Sequence, residues 1–341
     1  MRIFARARRK PVEEQVVVVT GASAGVGRAI ARAFGRRRAR VGLIARTPEA
    51  LDHCAEEIRR SGGEALPLPL DVADAAAVER AADAVVERFG RIDTWVNDAM
   101  VSVFSRALEM TAVEYQRVTE VNYLGYVHGT LAALRRMKDQ PGGGGVIQIG
   151  SALVYRSIPL QSAYCASKAA VRAFTDSLRS ELLHDRIPVH LSLLELPAVN
   201  TPQFDVVRSR LPRRPQPVPP IYQPEVIARA CLYVAEHPVR ELWLAPSTLK
   251  AILGQKLVPG FADRYLARHG FDAQQTSEPA SPARRDDVDA PLPGDRGARG
   301  RFGGEARSFS AEVWLRTHPW LGAAAAALLV TGLAGWRART A

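Results

Sequence analysis

A β-branched run, Gln15-Val16-Val17-Val18-Val19, leads directly into Thr20-Gly21-Ala22-Ser23-Ala24-Gly25-Val26-Gly27, and an alanine-rich helical stretch follows over 28–34. No other feature restricts the fold so tightly. A continuous apolar strand is one covered on both faces, as in a parallel sheet. Glycines between a strand and a helix let the backbone approach a ligand closely. The helix N-terminus adds free N–H groups and the positive end of a dipole. Strand, glycine turn and helix in that order predict the phosphate turn of a dinucleotide site. They assign cofactor contact to Thr20, Gly21, Ser23, Gly25, Val26 and Gly27.

The chain then alternates. Further strands are expected over 41–45, 65–70, 92–96, 146–149, 188–196 and 241–245. Helices are expected over 48–60, 74–89 and 111–137, the last broken near Asn122-Tyr123-Leu124-Gly125, then through Tyr164 to about 184, and over 225–236. This alternation predicts an α/β architecture, a parallel doubly wound sheet of about seven strands with helices on both faces. Ligands bind such sheets at the carboxyl ends of the strands. The second strand ends in Ala45-Arg46. No carboxylate stands there for the ribose hydroxyls, and the Arg46 guanidinium suits a 2′-phosphate, which favours NADP(H) over NAD(H). A plain surface arginine is the alternative. Asp71-Val72 closes the third strand near the adenine, and Asn97-Asp98-Ala99-Met100 ends the fourth.

The fifth strand ends at Ser151, and Tyr164 and Lys168 follow on a helix. Residues four apart on a helix share a face, so the phenol and the ammonium can meet. A tyrosine normally titrates near pKa ~10, and an adjacent cation favours its ionised form. A hydroxyl, a tunable phenol and a cation could therefore converge on one polar oxygen such as a carbonyl. Taken alone, Tyr-x-x-x-Lys is as readily a half-buried tyrosine beside a solvated lysine.

With these pieces in place the chain resembles the short-chain dehydrogenase/reductase family over about residues 12–245. Thr20, Gly21, Gly25 and Gly27 match its TGxxxGxG turn. Asn97-Asp98-Ala99 stands at its NNAG motif, Asn122 at its structural Asn, and Ser151, Tyr164 and Lys168 at its Ser and Tyr-x-x-x-Lys set. The resemblance implies a Rossmann-type fold and hydride transfer between a nicotinamide cofactor and an alcohol or carbonyl. In those roles Tyr164 is the general acid/base and Ser151 polarises the substrate oxygen. Lys168 lowers the Tyr164 pKa and holds the nicotinamide ribose, with Asn122 supporting a relay water. Asn97, Ala99 and Thr201 would join the cofactor site. Asp98 and Met100 depart from the fourth-strand motif, and Pro197-Ala198-Val199-Asn200-Thr201 lacks the family's Pro-Gly. The proline- and arginine-rich stretch 208–224 stands where the family covers its substrate. Leu153, Val154, Tyr155, Ile158 and Leu160 suggest an apolar substrate wall, or equally core. The family's habit also implies a homo-oligomer. A non-catalytic NADP-binding module, an epimerase or dehydratase on the same fold, and a membrane-associated scaffold are the competing readings.

Composition bounds the rest. The 341 residues carry a formal net charge of +11, with arginine far exceeding lysine. Clusters at Arg2, Arg6, Arg8, Arg9 and Lys10 and at Arg36, Arg37, Arg38 and Arg40 lack interleaved aromatics. A solvated face or lipid contact is expected there, without nucleic acid. Cys54, Cys165 and Cys231 lack metal-ligand spacing, so no metal is expected and the setting reads as reduced and cytoplasmic. The organisation expected is a basic tail over 1–11, a catalytic domain over 12–246, a helical extension over 247–271 and a disordered linker over 272–312. An apolar helix over 313–341 would follow. Within it, 319–336 is an eighteen-residue stretch without charge, bracketed by Trp320 and Trp336. That is at the short end of the about 17–25 residues that span a bilayer. It suggests a membrane tether or an amphiphilic helix docked on protein.

Overall fold

The computed structural model describes residues 9–281 and 283–318. Its centre is a seven-stranded sheet. The strands are β1 (Val16–Thr20), β2 (Arg40–Ala45), β3 (Glu64–Pro69), β4 (Thr94–Asn97), β5 (Gly144–Ser151), β6 (Val189–Leu196) and β7 (Glu241–Trp243). They lie in the order β7-β6-β5-β4-β1-β2-β3, and every pairing is parallel. The order reverses between β1 and β4, so the carboxyl ends of these strands flank a crevice, where open α/β sheets bind ligands.

The valine run explains its own burial. Val17 and Val19 enter one apolar cluster, with Phe34 and Ile58 from the helices α1 (Gly25–Arg36) and α2 (Pro48–Arg60). Val16 and Val18 enter the other, with Val78 and Val85 from α3 (Ala75–Phe89) and Leu178 from α6 (Ser162–His184). Side chains of a strand alternate between faces, so an unbroken apolar run is what two covered faces require. Between α3 and α6 lie α4 (Ala112–Thr119), a π-turn at Glu120–Leu124 and α5 (Gly125–Met137). The break expected near Asn122 is this π-turn. Thr111 and Glu114 close a capping box at the start of α4.

After α7 (Pro224–Glu236) and β7, the helices α8 (Pro246–Leu257) and α9 (Pro259–His269) follow. The stretch expected to be a disordered linker over 272–312 is instead packed against the domain wherever it is described. Gln275–Pro279 pairs antiparallel with Arg213–Pro215. Arg208 takes both carboxylate oxygens of Asp286 at 2.9 and 3.0 Å. Arg28, almost wholly buried, takes both oxygens of Asp295 at 3.1 Å. Phe302 is buried and donates its N–H to Asn200 Oδ1 at 3.0 Å. A composition poor in aliphatics hides this packing, because ion pairs and main-chain bonds hold the segment.

Arg9, expected in a solvated tail, reaches Asp93 O at 2.6 Å and Thr94 Oγ1 at 3.3 Å. Arg36, Arg37 and Arg38 are exposed. Among the described residues no helix is long and apolar enough to cross a membrane. The stretch 319–336, expected as a tether, lies outside the described residues.

The Asn97 side chain sits under the sheet, fully buried. Its Oδ1 accepts from Trp95 Nε1 at 2.8 Å, and its Nδ2 donates to Gln148 Oε1 at 2.9 Å and Thr130 Oγ1 at 3.1 Å. Removing it strands buried polar partners, each worth about 1–3 kcal/mol when left unsatisfied. Asn97→Ala is therefore expected to lower stability by roughly 3 kcal/mol. Urea unfolding should show a reduced midpoint at unchanged slope; a wild-type midpoint would contradict this account of the sheet.

Candidate active site

The phosphate turn is built by close approach. Gly21 and Gly25 hold φ of +73° and +60°, a region that side chains with a Cβ avoid. A Cβ on Gly27 would fall 2.3 Å from Gly21 O and 2.8 Å from Asp98 Oδ2. The turn and α1 therefore meet at a distance only glycine permits, and the cradle fits a dinucleotide phosphate.

Gly21, Ser23, Gly25, Val26, Arg46, Asp71, Val72, Ala99 and Thr201 line one cleft of about 480 Å³, together with Ser151, Tyr164 and Lys168. Three expected cofactor residues stand behind that wall. Thr20 Oγ1 accepts from the N–H groups of Asp98 and Ala99 at 2.9 and 3.1 Å, fixing the loop. Gly27 supplies the close approach described above, and Asn97 belongs to the buried network of the sheet. Arg46 turns its guanidinium onto the main-chain carbonyls of Asp287 and Val288. Asp71 pairs with Arg117 and caps Ala73 N at 3.0 Å.

Ser151 ends β5, and Tyr164 and Lys168 lie on α6, as the spacing predicted. The Ser151 hydroxyl hydrogen-bonds the Tyr164 phenol, and Ser151 Oγ accepts from Leu153 N at 3.2 Å. Lys168 is buried. Its Nζ donates to Tyr126 Oη at 2.7 Å and to Ile149 O at 2.8 Å, and lies 5.9 Å from the Tyr164 ring centre. The expected lowering of the phenol's pKa by Lys168 is not seen in this geometry. Burial pushes the Tyr164 phenol well above its ordinary value, and the opposing influence is the Ser151 hydrogen bond. The ammonium is committed elsewhere. Burial also lowers Lys168 itself to about 8, against the charges of Asp98 and Glu195.

Those two carboxyls complete the electrostatics. Asp98 lines the cleft and accepts from the Gly27 N–H. Desolvation raises it to about 7 in spite of Lys168. Glu195 is fully buried on β6, beside Arg172 Nη1 at 3.3 Å, and burial raises it to about 7 as well. A phenol that keeps its proton, a polarising hydroxyl and a buried cation can give or take a proton at one substrate oxygen.

Asn122 is fully buried in the π-turn, and its side chain is bonded to both main-chain groups of Val101, at 2.8 and 2.9 Å. It braces the cleft loop, and its Nδ2 also donates to Ser167 Oγ at 3.3 Å. Tyr126 and Glu195 were missed by the sequence reading. Tyr126 stands one helical turn beyond Asn122, and Glu195 is a lone carboxylate in an otherwise apolar strand run. Both signals were available. Of the proposed substrate wall, Leu153 and Ile158 line the cleft. Leu160 packs in a buried cluster with Phe104, and Tyr155 turns to Arg172 and Trp243. The cysteines are free and buried. No cluster able to hold a metal ion occurs among the described residues.

Comparison with known proteins agrees with this geometry. The family model described as short chain dehydrogenase matches residues 15–210. An uncharacterized oxidoreductase of Bacillus subtilis, YxnA, is 33% identical over 281 residues, covering 82% of this chain and 79% of that protein. The probable oxidoreductase EphD of Mycobacterium tuberculosis is 38% identical over 169 residues, half of this chain but only 28% of EphD. Among solved structures, the alcohol dehydrogenase of Thermococcus sibiricus, complexed with 5-hydroxy-NADP, superposes with a TM-score of 0.59 at 31% identity. That superposition covers 67% of this chain and 95% of the other. The chain belongs to the short-chain dehydrogenase family and is a nicotinamide-dependent oxidoreductase acting between CH–OH and C=O groups.

Proposed function

We propose that the protein interconverts an apolar carbonyl compound and its alcohol with NADP(H) as the cofactor. The observation that carries the cofactor choice is Arg46 at the end of β2, beside Ala45 where an NAD site would hold a carboxylate. The Thermococcus relative is described with an NADP analogue, which agrees with that choice. Support for an apolar substrate comes from the cleft wall beyond Tyr164, where Phe104, Leu153, Ile158, Phe204, Val206 and Val218 converge.

The bound nicotinamide supplies or accepts the hydride. Tyr164 protonates the carbonyl oxygen in reduction; burial keeps the proton on the phenol before that step, although it also makes the phenol the weaker acid. Ser151, already bonded to that phenol, polarises the same oxygen. Lys168, anchored by Tyr126 and Ile149, places a positive charge beneath the site. Cofactor contact is assigned to Gly21, Ser23, Gly25 and Val26 at the phosphates and Asp71 and Val72 at the adenine. Ala99 and Thr201 lie toward the nicotinamide. The proline-rich stretch closes over the substrate, since Pro217, Pro219 and Pro220 border the same cleft.

Tyr164→Phe removes the proton donor and leaves the cofactor wall intact. Carbonyl reduction is expected to fall by roughly 1,000-fold, with NADPH affinity unchanged by fluorescence titration. Retained turnover would remove Tyr164 from its role.

Arg46→Ala should lower the preference for NADPH over NADH by roughly tenfold or more, the loss of a charge-assisted bond to the 2′-phosphate. Equal weakening of both, or of neither, overturns the NADP assignment.

Asp98 gives a pH dependence with a definite sign. Its pKa in the fold is raised from 3.8 to about 7 by burial. A raised carboxyl favours the fold while protonated and loses that contribution as pH rises through the raised value. Relative to Asp98→Asn, the wild type should lose stability between about pH 4 and 7. Urea midpoints compared at the two ends of that window should show the variant's advantage growing toward the higher pH; a flat or shrinking advantage contradicts the account.

A further inference from the structure

We propose that residues 286–297 are a built-in occupant of the adenosine half of the cofactor cleft, a strap that must lift before a dinucleotide can seat. The proposal rests on the reading of this cleft as a nicotinamide-cofactor site.

Three groups that the cofactor needs are already engaged by the chain itself, and Asp287, Pro291, Leu292 and Arg296 of the strap border the cleft beside them. The first is the phosphate turn. Gly25 N–H, at the N-terminus of α1, donates to Gly297 O at 3.0 Å. One N–H cannot serve that carbonyl and a phosphate oxygen together. The second is the 2′-phosphate position. Arg46 Nη1 donates to Val288 O at 3.3 Å, and its Nη2 donates to Asp287 O. The third is the adenine wall. Val288 has no exposed surface and belongs to the apolar cluster of Val72 and Val121, both of which border the cleft. Its carbonyl is held from the other side by Arg117 Nε at 3.0 Å, and Arg117 in turn pairs with Asp71. Strap residues thus engage the phosphate turn, Arg46 and the wall beside Val72 in one continuous run.

The way the strap is held suits a part that moves. Residues 286–297 contain no helix or strand. Both flanks are anchored, upstream by the pairing of Gln275–Pro279 with Arg213–Pro215, downstream by Gly300 N on Asn200 O at 3.2 Å and by Phe302. Between the anchors, attachment comes from Val288, from ion pairs such as Arg28 with Asp295 and Arg208 with Asp286, and from two main-chain donors, Asp287 N to Val206 O at 3.1 Å and Gly294 N to Glu49 Oε2 at 3.2 Å. A phosphate would give Gly25 N–H a charge-assisted hydrogen bond, about twice as strong as one to a neutral carbonyl, and would give the Arg46 guanidinium an anion in place of neutral carbonyls. The exchange is thus driven by the groups that the strap covers. A cofactor that must first displace it binds more weakly by the fraction of time the cleft is open.

The test uses the full chain. NADPH and NADH are titrated by fluorescence against wild type, Asp295→Ala and the double variant Val288→Ser/Asp295→Ala, and hydrogen–deuterium exchange is followed across 286–297 with and without NADPH. Asp295→Ala leaves Arg28 with Glu57 Oε2 at 2.9 Å and Ala50 O at 2.9 Å, so the fold beneath has its own support. Expected are faster exchange across the strap when NADPH binds, and about tenfold tighter binding of both nucleotides by the double variant. A strap that becomes more protected with NADPH, together with weaker binding by the variants, overturns the proposal in favour of a clamp that completes the site. Unchanged affinity and unchanged exchange overturn it too. The exchange experiment on wild type decides the matter if the double variant does not fold. Binding of neither nucleotide to any of the three proteins overturns the cofactor reading itself, whereas binding beneath an unmoved strap overturns the strap alone.

Discussion

A buried ammonium organises the chemistry of this protein. Lys168 has almost no exposed surface, and a charge in such a place is tolerated only when its surroundings compensate. Two oxygens, Tyr126 Oη and Ile149 O, take its hydrogen bonds directly. Asp98 and Glu195 act on it through charge, each raising the lysine's proton affinity while burial lowers it. The same residues then constrain one another. Ile149 precedes Ser151 on β5, Tyr126 also donates to Ile149 O at 3.0 Å, and Asp98 is joined to the phosphate turn through Gly27. Asp98 and Glu195 act on the Tyr164 phenol as well, each adding to the rise that burial imposes.

The sheet makes this convergence possible. Thr20, Asn97, Ser151 and Leu196 end strands that lie side by side in the order β6-β5-β4-β1. Parallel strands carry all their carboxyl ends to one edge, so loops from distant parts of the chain meet there. Ser151 and Tyr164 come from successive elements, but Asp98 reaches them only because β4 lies between β1 and β5. The π-turn at Asn122 belongs to the same logic. It interrupts a helix that would otherwise run from Ala112 to Met137 and directs Asn122 onto Val101, locking the loop after β4. Such turns recur at functional sites because they reshape a helix locally without ending it.

What the sequence could and could not reveal follows from the range of the interactions. The glycine turn, the valine strand and the Ser151-Tyr164-Lys168 set are local patterns, and each reads directly in terms of backbone freedom or helical spacing. Asn97 shows the limit. Its position at the end of β4 was legible, but the direction of its side chain, down into Trp95, Thr130 and Gln148, depends on partners 2 to 51 residues away. The pKa of Tyr164 is a second case. A lysine four residues on suggested a lowered value, yet burial outweighs it, and burial is a property of the whole fold. Arg46 is a third, since its place at the strand end was readable and its present partners, 241 and 242 residues further on, were not.

The extension carries the same lesson into energetics. Low aliphatic content is a sound sign of disorder when a segment must bury apolar surface to be held. Here the surface that receives the segment presents arginines: Arg28 meets Asp295, Arg208 meets Asp286 and Asp289, and Arg46 acts on Asp287 through charge. Pairs of this kind are individually weak where solvent reaches them. Their number and the buried Val288, Ala298 and Phe302 nevertheless give the segment one position. A segment held by several modest contacts and few apolar anchors stands at the low end of local stability, which is where moving parts of proteins are found. The arginines that hold the extension, Arg28, Arg46, Arg117 and Arg208, lie outside the basic clusters that the composition drew attention to, and serve the chain's own packing.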